Sequence, residues 1–268
     1  MPDDGEMPSR RQLPDLGLEP LSARSLVLST LLGSHPPRLP AQALVVLGAQ
    51  FAIGEGAMRT ALSRMVADGD LVASDGRYEL PAFLVERQAL QDAGLRIPEE
   101  PWDGSWWVAT VTTARRTMAE RRSFRAQMLA SRMGELRPDT WLRPANIPRP
   151  SAEHGALLVH GRIEGAEPED IVAGLWDLGG LASTGRHLLS LADDASAWLE
   201  TQDPGVLSDS LLVCIALVRF LRLEPQLPVS VVGHRWPPNQ LRRAYPPLQQ
   251  WYAELVRSFL MTVAATAP

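Results

Sequence analysis

All 26 basic residues in this 268-residue chain are arginine. Every cation is therefore a planar guanidinium, whose fork of N–H donors fits the edge of a phosphate or a carboxylate. Two groups of them are placed for chemistry. The first lies in Phe51–Leu80, FAIGEGAMRTALSRMVADGDLVASDGRYEL, and combines Arg59, Thr60, Ser63 and Arg64 with Arg77. Short hydroxyl side chains between arginines are the donors and acceptors that read base edges and hold phosphates. Arg59 and Arg64 are five residues apart, about 140° around a helix axis, so they do not serve one base. Arg64, with Thr60 and Ser63, is the base reader of this set, and Arg59 is the phosphate clamp. The second group is Arg115, Arg116, Arg121, Arg122 and Arg125. It suits a solvated face, flanking phosphates of a nucleic acid, or the phosphates of a small ligand, and the sequence does not separate these three readings.

The elements that must position the first group are legible. Met58, Ala61, Leu62 and Met65 have the spacing of one buried helix face, which leaves Gly56, Thr60, Ser63 and Arg64 on the other. Gly69 sits where that helix stops. Two short strand-like runs follow, Leu71–Ser74 and Arg77–Leu80, joined by Asp75-Gly76, a pair that favours a type I′ hairpin turn. Upstream, Ser22 caps a helix to Leu32 with Leu26, Thr30 and Leu31 facing inward. Ser34–Pro40 reads as a loop, because its prolines forbid a helix. A second, apolar helix covers Ala41–Ala49. Three helices and a hairpin make a winged helix-turn-helix, in which the third helix enters the major groove and Arg77 on the wing reaches the minor groove. Arg24 is expected to pair with an acid inside the fold.

The rest of the chain bounds the alternatives. Net charge is −5. Residues 101–149 hold nine arginines against four acids, whereas residues 21–100 hold seven against nine. DNA binding by this region must therefore rest on a few placed arginines and on dimerisation. The single cysteine, Cys214, rules out an intramolecular disulfide, suits a reducing compartment and reads as a buried small hydrophobe. The five histidines are scattered without metal-ligand spacing, and neither a phosphate-cradling glycine loop nor a nucleophile elbow is present. These features predict no enzyme, no metal and no cofactor. The apolar runs are too short to span a bilayer, so the protein is expected to be soluble and cytoplasmic, without a membrane partner.

After a linker helix over Ala82–Ala93, composition shifts near Leu95–Pro101. A strand over Trp106–Thr113, a helix over Arg115–Met133 ended by Gly134, strands over Thr140–Arg143 and Ala156–Ile163, and a helix over Pro168–Trp176 amount to most of a ferredoxin-like split βαβ. Trp106, Trp141 and Trp176 read as core, while Trp107 faces the other side of the sheet and is a candidate to line a ligand cleft. Helices over Leu178–Leu191, Leu207–Leu223 and Pro238–Ala264 follow, and this helical region, with its apolar Leu211–Leu223 stretch, is expected to carry most of the dimer contact.

Several stretches together resemble one family, the PaaX-type transcriptional regulators. They are Ala23-Arg24-Ser25-Leu26 with Thr30-Leu31-Leu32-Gly33, Arg59-Thr60-Ala61-Leu62-Ser63-Arg64 and Trp102-Asp103-Gly104. Trp141-Leu142-Arg143-Pro144, Trp176-Asp177-Leu178, Arg219-Phe220 and Trp236-Pro237 continue the series. The resemblance implies a homodimeric repressor on double-stranded DNA with a pseudo-palindromic operator. It also implies a small effector, such as an acyl- or aryl-coenzyme A thioester or an aromatic acid. The residues available for that effector are Trp107, Arg115, Arg121, Arg122 and Arg125.

The expected architecture is α+β: a tail over 1–20, a winged helix-turn-helix domain with its linker helix over 21–98, a ferredoxin-like central domain over 99–176, and a helical dimerisation and effector domain over 177–268. An interaction or scaffold protein of the same architecture is the alternative, and a metal-dependent nuclease is the remote one.

Overall fold

The computed structural model describes residues 21–34, 36–86, 95, 97, 101–112, 116–150 and 156–266, with side chains to 262. The expected tail over 1–20, the later part of the linker helix and Arg115 lie outside the described residues. Contacts divide the chain into two compact units. One draws on Met1–Gly94, Ser190–Val218 and Ala244–Pro268, the other on Leu95–Leu189 and Arg219–Arg243. The helices expected as a separate C-terminal domain thus contribute to both units.

In the first unit, α1 (Ala23–Leu32) begins where the Ser22 hydroxyl accepts the Ser25 N–H at 3.1 Å. It buries Leu26, Val27, Thr30 and Leu31. α2 (Ala41–Gln50) buries Leu44, Val45 and Leu47, and α3 (Glu55–Ala67) buries Met58, Leu62 and Met65. The three helices pack on one another, with Leu71 and Leu80 completing the core. After Asp68 the chain leaves the helix through Gly69, as the sequence predicts.

β2 (Val72–Ser74) and β3 (Arg77–Glu79) form the expected hairpin. Asp75 and Gly76 hold φ of 51° and 70°, the left-handed pair that a type I′ turn requires. A third strand corrects the sequence reading of Ser34–Pro40 as a loop. β1 (Arg38–Pro40) pairs antiparallel with β3, so that Arg38 faces Glu79, Leu39 faces Tyr78 and Pro40 faces Arg77. The prolines that exclude helix also favour extended backbone in the residues before them, and three residues give too short an alternation to see. The wing is thus a three-stranded sheet in the order β1-β3-β2. Beyond Leu80, residues 82–86 form the described part of α4.

The second unit is built on a four-stranded antiparallel sheet, order β5-β6-β4-β7: β4 (Ser105–Val111), β5 (Gly134–Arg137), β6 (Thr140–Pro144) and β7 (Ala156–Arg162). β4 and β5 lie on either side of β6, with α5 (Met118–Ala130) between them in sequence, which is a split βαβ. The second helix, α6 (Pro168–Leu175), follows β7 instead of preceding it, so the order departs from βαββαβ. Trp106, Leu142, Val172 and Leu227 pack on one face, and Ala109, Met128, Met133 and Trp141 on the other.

α5 is shorter than the sequence predicts at both ends. It starts at Met118 because Thr117 and Glu120 form a capping box. It stops before Gly134 because Arg132, at φ 60°, takes the left-handed position of a Schellman motif. The Met133 N–H bonds Met128 O at 3.0 Å and the Arg132 N–H bonds Leu129 O at 2.9 Å. Gly134 instead opens β5, which the sequence reading missed. A Cβ there would lie 2.9 Å from Leu175 Cβ and 3.0 Å from the Trp176 ring, so α6 approaches β5 only over a glycine.

α7 (Leu178–Glu200) runs nine residues past its predicted end, α8 (Leu207–Leu223) has its predicted limits, and a short α9 (Val229–Val232) precedes α10 (Pro237–Thr266). α8 buries Leu211, Val213, Cys214, Ala216, Leu217 and Leu221 within the chain itself. Its apolar side therefore packs into this chain's own core, while Leu223 at its end is exposed.

Charge is also buried in the second unit. Glu224 and Arg242 are fully buried and bonded to each other. The Arg132 guanidinium donates to Leu221 O at 2.9 Å and Glu224 O at 2.6 Å, and lies 3.6 Å from the Glu224 carboxylate. Burial pulls Arg132 down to about 10, against the pull of Glu224. Glu224→Ala should cost about 3–5 kcal/mol in urea unfolding, because it strands buried guanidinium charge. A loss below 1 kcal/mol would mean that water satisfies the arginines.

Burial also pushes the Cys214 thiol from 9.0 up to about 12. The folded chain keeps this proton where the unfolded chain loses it. The thiol's contribution to stability is thus complete below about pH 9 and disappears between about 9 and 12. Cys214 should resist iodoacetamide at pH 8 until urea is added, and Cys214→Ala should flatten the alkaline fall in melting temperature.

Candidate nucleic-acid interface

α3 is set by its buried stripe, and its opposite side is bare. Arg59, Thr60, Ser63 and Arg64 are all exposed on it, together with Gly56. Gly54 caps the helix without a side-chain bond, so the first N–H groups keep their partial positive charge toward solvent. Glu55 at the first position offsets part of it and holds Arg59, with Arg59 Nε and Nη2 each 2.8 Å from Glu55 Oε1. The Thr60 hydroxyl donates to Gly56 O at 2.8 Å, which fixes its rotamer and leaves its oxygen free to accept. Among the described residues Arg64 has no ion pair and is the freest cation of the helix. Arg24 is bonded to Asp70 at 2.8–2.9 Å, the internal role the sequence suggests.

On the wing, Arg77 is exposed beside the turn, opposite Pro40 in the ladder. The Ala41 N–H bonds Gly76 O at 3.0 Å, which ties the start of α2 to the wing turn. Arg38, in the strand that sequence reasoning missed, adds an exposed cation to the same sheet. Acids lie among these cations: Asp75 in the turn and Glu79 across from Arg38. The surface has placed arginines rather than a basic field.

The second arginine group is not gathered into one site. Arg116 is bonded to Asp139 and stacks over Phe124 at 5.0 Å; Arg125 is bonded to Glu135 and stacks over Trp141 at 5.2 Å. Arg121 and Arg122 are exposed, without an ion pair among the described residues. Trp107 is half-buried on the α5 side of the sheet, with its ring 4.5 Å from that of His160 and the Arg149 guanidinium 6.0 Å from its centroid. Trp106 and Trp141 are core, as expected. Among the described residues no three metal-ligating side chains converge, and no helix is long and apolar enough to cross a membrane.

A three-helix core, a recognition-type helix with a bare polar face and a three-stranded wing define a winged helix-turn-helix protein. A family profile described as PaaX-like protein matches residues 22–82, which carry the three helices and the wing. The solved structure of the uncharacterized protein Rv0674 from Mycobacterium tuberculosis is similar over 88% of this chain and 98% of that one, at 35% identity and a TM-score of 0.75. No curated protein matches. The chain belongs to the PaaX-like family, whose members are transcriptional regulators rather than enzymes, and this chain is in general terms a DNA-binding regulator.

Gly76→Ala forces a side chain onto a φ of 70° and should cost about 1–2 kcal/mol in urea unfolding. No loss of stability would show that the turn relaxes to another type.

Proposed function

We propose that the protein is a homodimeric repressor of a catabolic operon. It binds a pseudo-palindromic operator and is released by a small effector such as an acyl- or aryl-coenzyme A thioester. The observation that carries the DNA part is the shared exposed face of Arg59, Thr60, Ser63 and Arg64, with Arg77 on the adjoining wing. Arg64, Thr60 and Ser63 read bases in the major groove. Arg59, already leaning along the helix toward Glu55, clamps a phosphate, and Arg77 enters the minor groove. Dimerisation supplies the affinity that a single half-site with few cations lacks. Among the described residues, the exposed Arg121 and Arg122 are the members of the central group left to meet the effector's phosphates, since Arg116 and Arg125 are held by acids.

A second reading is an interaction or scaffold protein with weakened DNA binding. Glu55, Asp75 and Glu79 favour it, because they sit among the very arginines that would face phosphate.

Selection of bound sequences from random DNA by the full-length protein separates the two. The regulator yields a pseudo-palindrome with half-sites roughly one or two helical turns apart, on the order of 34 Å per turn. Arg64→Ala should then cost about 1–3 kcal/mol and relax one position per half-site, whereas Arg59→Ala should weaken all sequences alike. No enriched sequence at low salt would favour the scaffold reading.

A further inference from the structure

The described residues of the DNA-binding unit line a half-open groove of about 470 Å³, within the size range of small-molecule sites. One wall is β1 and the start of α2, through Leu39, Pro40 and Ala43. The other is a single face of α10, where Ala253, Val256 and Leu260 recur at helical spacing. These walls are apolar. Two guanidiniums lie among them, Arg38 from β1 and Arg257 from α10, both exposed and without an ion pair among the described residues. An apolar groove lined also by two arginine forks without an ion pair among the described residues matches one ligand chemistry, a compact apolar body ending in an anionic group.

We propose that this cavity binds a small organic acid with an aromatic-sized apolar body, and that the ligand acts on the wing through β1. The route is short. Leu39 and Pro40, against which the body rests, are paired with Tyr78 and Arg77 of β3, and the next residue, Ala41, is bonded to the wing turn at Gly76. Arg38, which meets the anionic group, faces Glu79 in the same ladder. A ligand that draws Arg38 and Arg257 together therefore pulls on the strand that carries Arg77. The effect on DNA rests on the regulator reading above, and the binding itself does not.

The test is a fluorescence titration of the full-length protein, first without DNA. Two probes are used: 1-anilinonaphthalene-8-sulfonate, an aromatic body with one anionic group, and N-phenyl-1-naphthylamine, the same body without it. The anionic probe should saturate one site per chain and bind about tenfold tighter than the neutral one, the scale of one charge-assisted contact. Arg38→Ala with Arg257→Ala should erase that preference. Ala253→Trp, which fills the chamber, should remove both probes at unchanged melting temperature. If Ala253→Trp does not fold, Met261→Trp at the 68% exposed rim replaces it.

Equal affinity for the two probes overturns the proposal, as does probe binding that survives the filled chamber. A natural chain that binds neither probe, and whose dimer falls to monomer in light scattering on Ala253→Trp, assigns the groove to a second copy and also overturns it. With DNA added, saturating anionic probe should weaken binding by the natural chain and not by the double arginine variant; unchanged DNA affinity overturns the coupling to the wing. A chain that binds the probe as described but no DNA defeats the regulator reading alone.

Discussion

The pairing of β1 with β3 is the constraint on which the DNA-binding unit depends. Without it, the wing is a two-residue turn between strands of three residues each, and an isolated hairpin of that size is barely stable in water. With it, the segment between α1 and α2 becomes part of the sheet, and the start of α2 is fixed to the wing turn by one backbone bond. The position of Arg77 relative to α3 then follows from ladder geometry rather than from loop packing. The exposed polar face of α3 and the wing behave as one surface because a three-residue strand joins them.

Legibility in the sequence followed local strength. α1, α2, α3, the I′ turn and α8 were readable because each has a decisive local signal: a Ser22 cap, a clean apolar stripe, Asp75-Gly76, or a long apolar run bounded by prolines. β1 and β5 were not, because strands of three or four residues carry no periodicity to detect and gain their stability from partners distant in sequence. The end of α5 was misread for a related reason. Glycine is the usual left-handed residue at a helix C-terminus, so Gly134 drew the boundary, but Arg132 takes that conformation instead. Its side-chain bonds to Leu221 and Glu224 offset the local cost, and no local rule reports a partner 89 or more residues away.

The candidate site divides the same way. Exposure of Arg59, Thr60, Ser63, Arg64 and Arg77 follows from helix phase and from the turn, both visible in the chain. Which arginines stay free is a tertiary property. Arg59, Arg116 and Arg125 are each engaged by an acid, whereas Arg38, Arg64 and Arg257 stand without an ion pair among the described residues. A charge count along the sequence weighs all of these equally, although in its densest run Arg116 and Arg125 are held by acids and Arg121 and Arg122 are not, among the described residues. The cavity beside α10 was invisible because its walls come from residues some two hundred positions apart.

The buried guanidiniums of the second unit have one more consequence. Arg132 and Arg143, though pulled down to about 10, still hold their protons throughout the range of pH in which cells live. A lysine in the same surroundings would sit near its neutral point and flicker between charged and uncharged forms. Built from arginine, these two positions carry the same charge throughout that range.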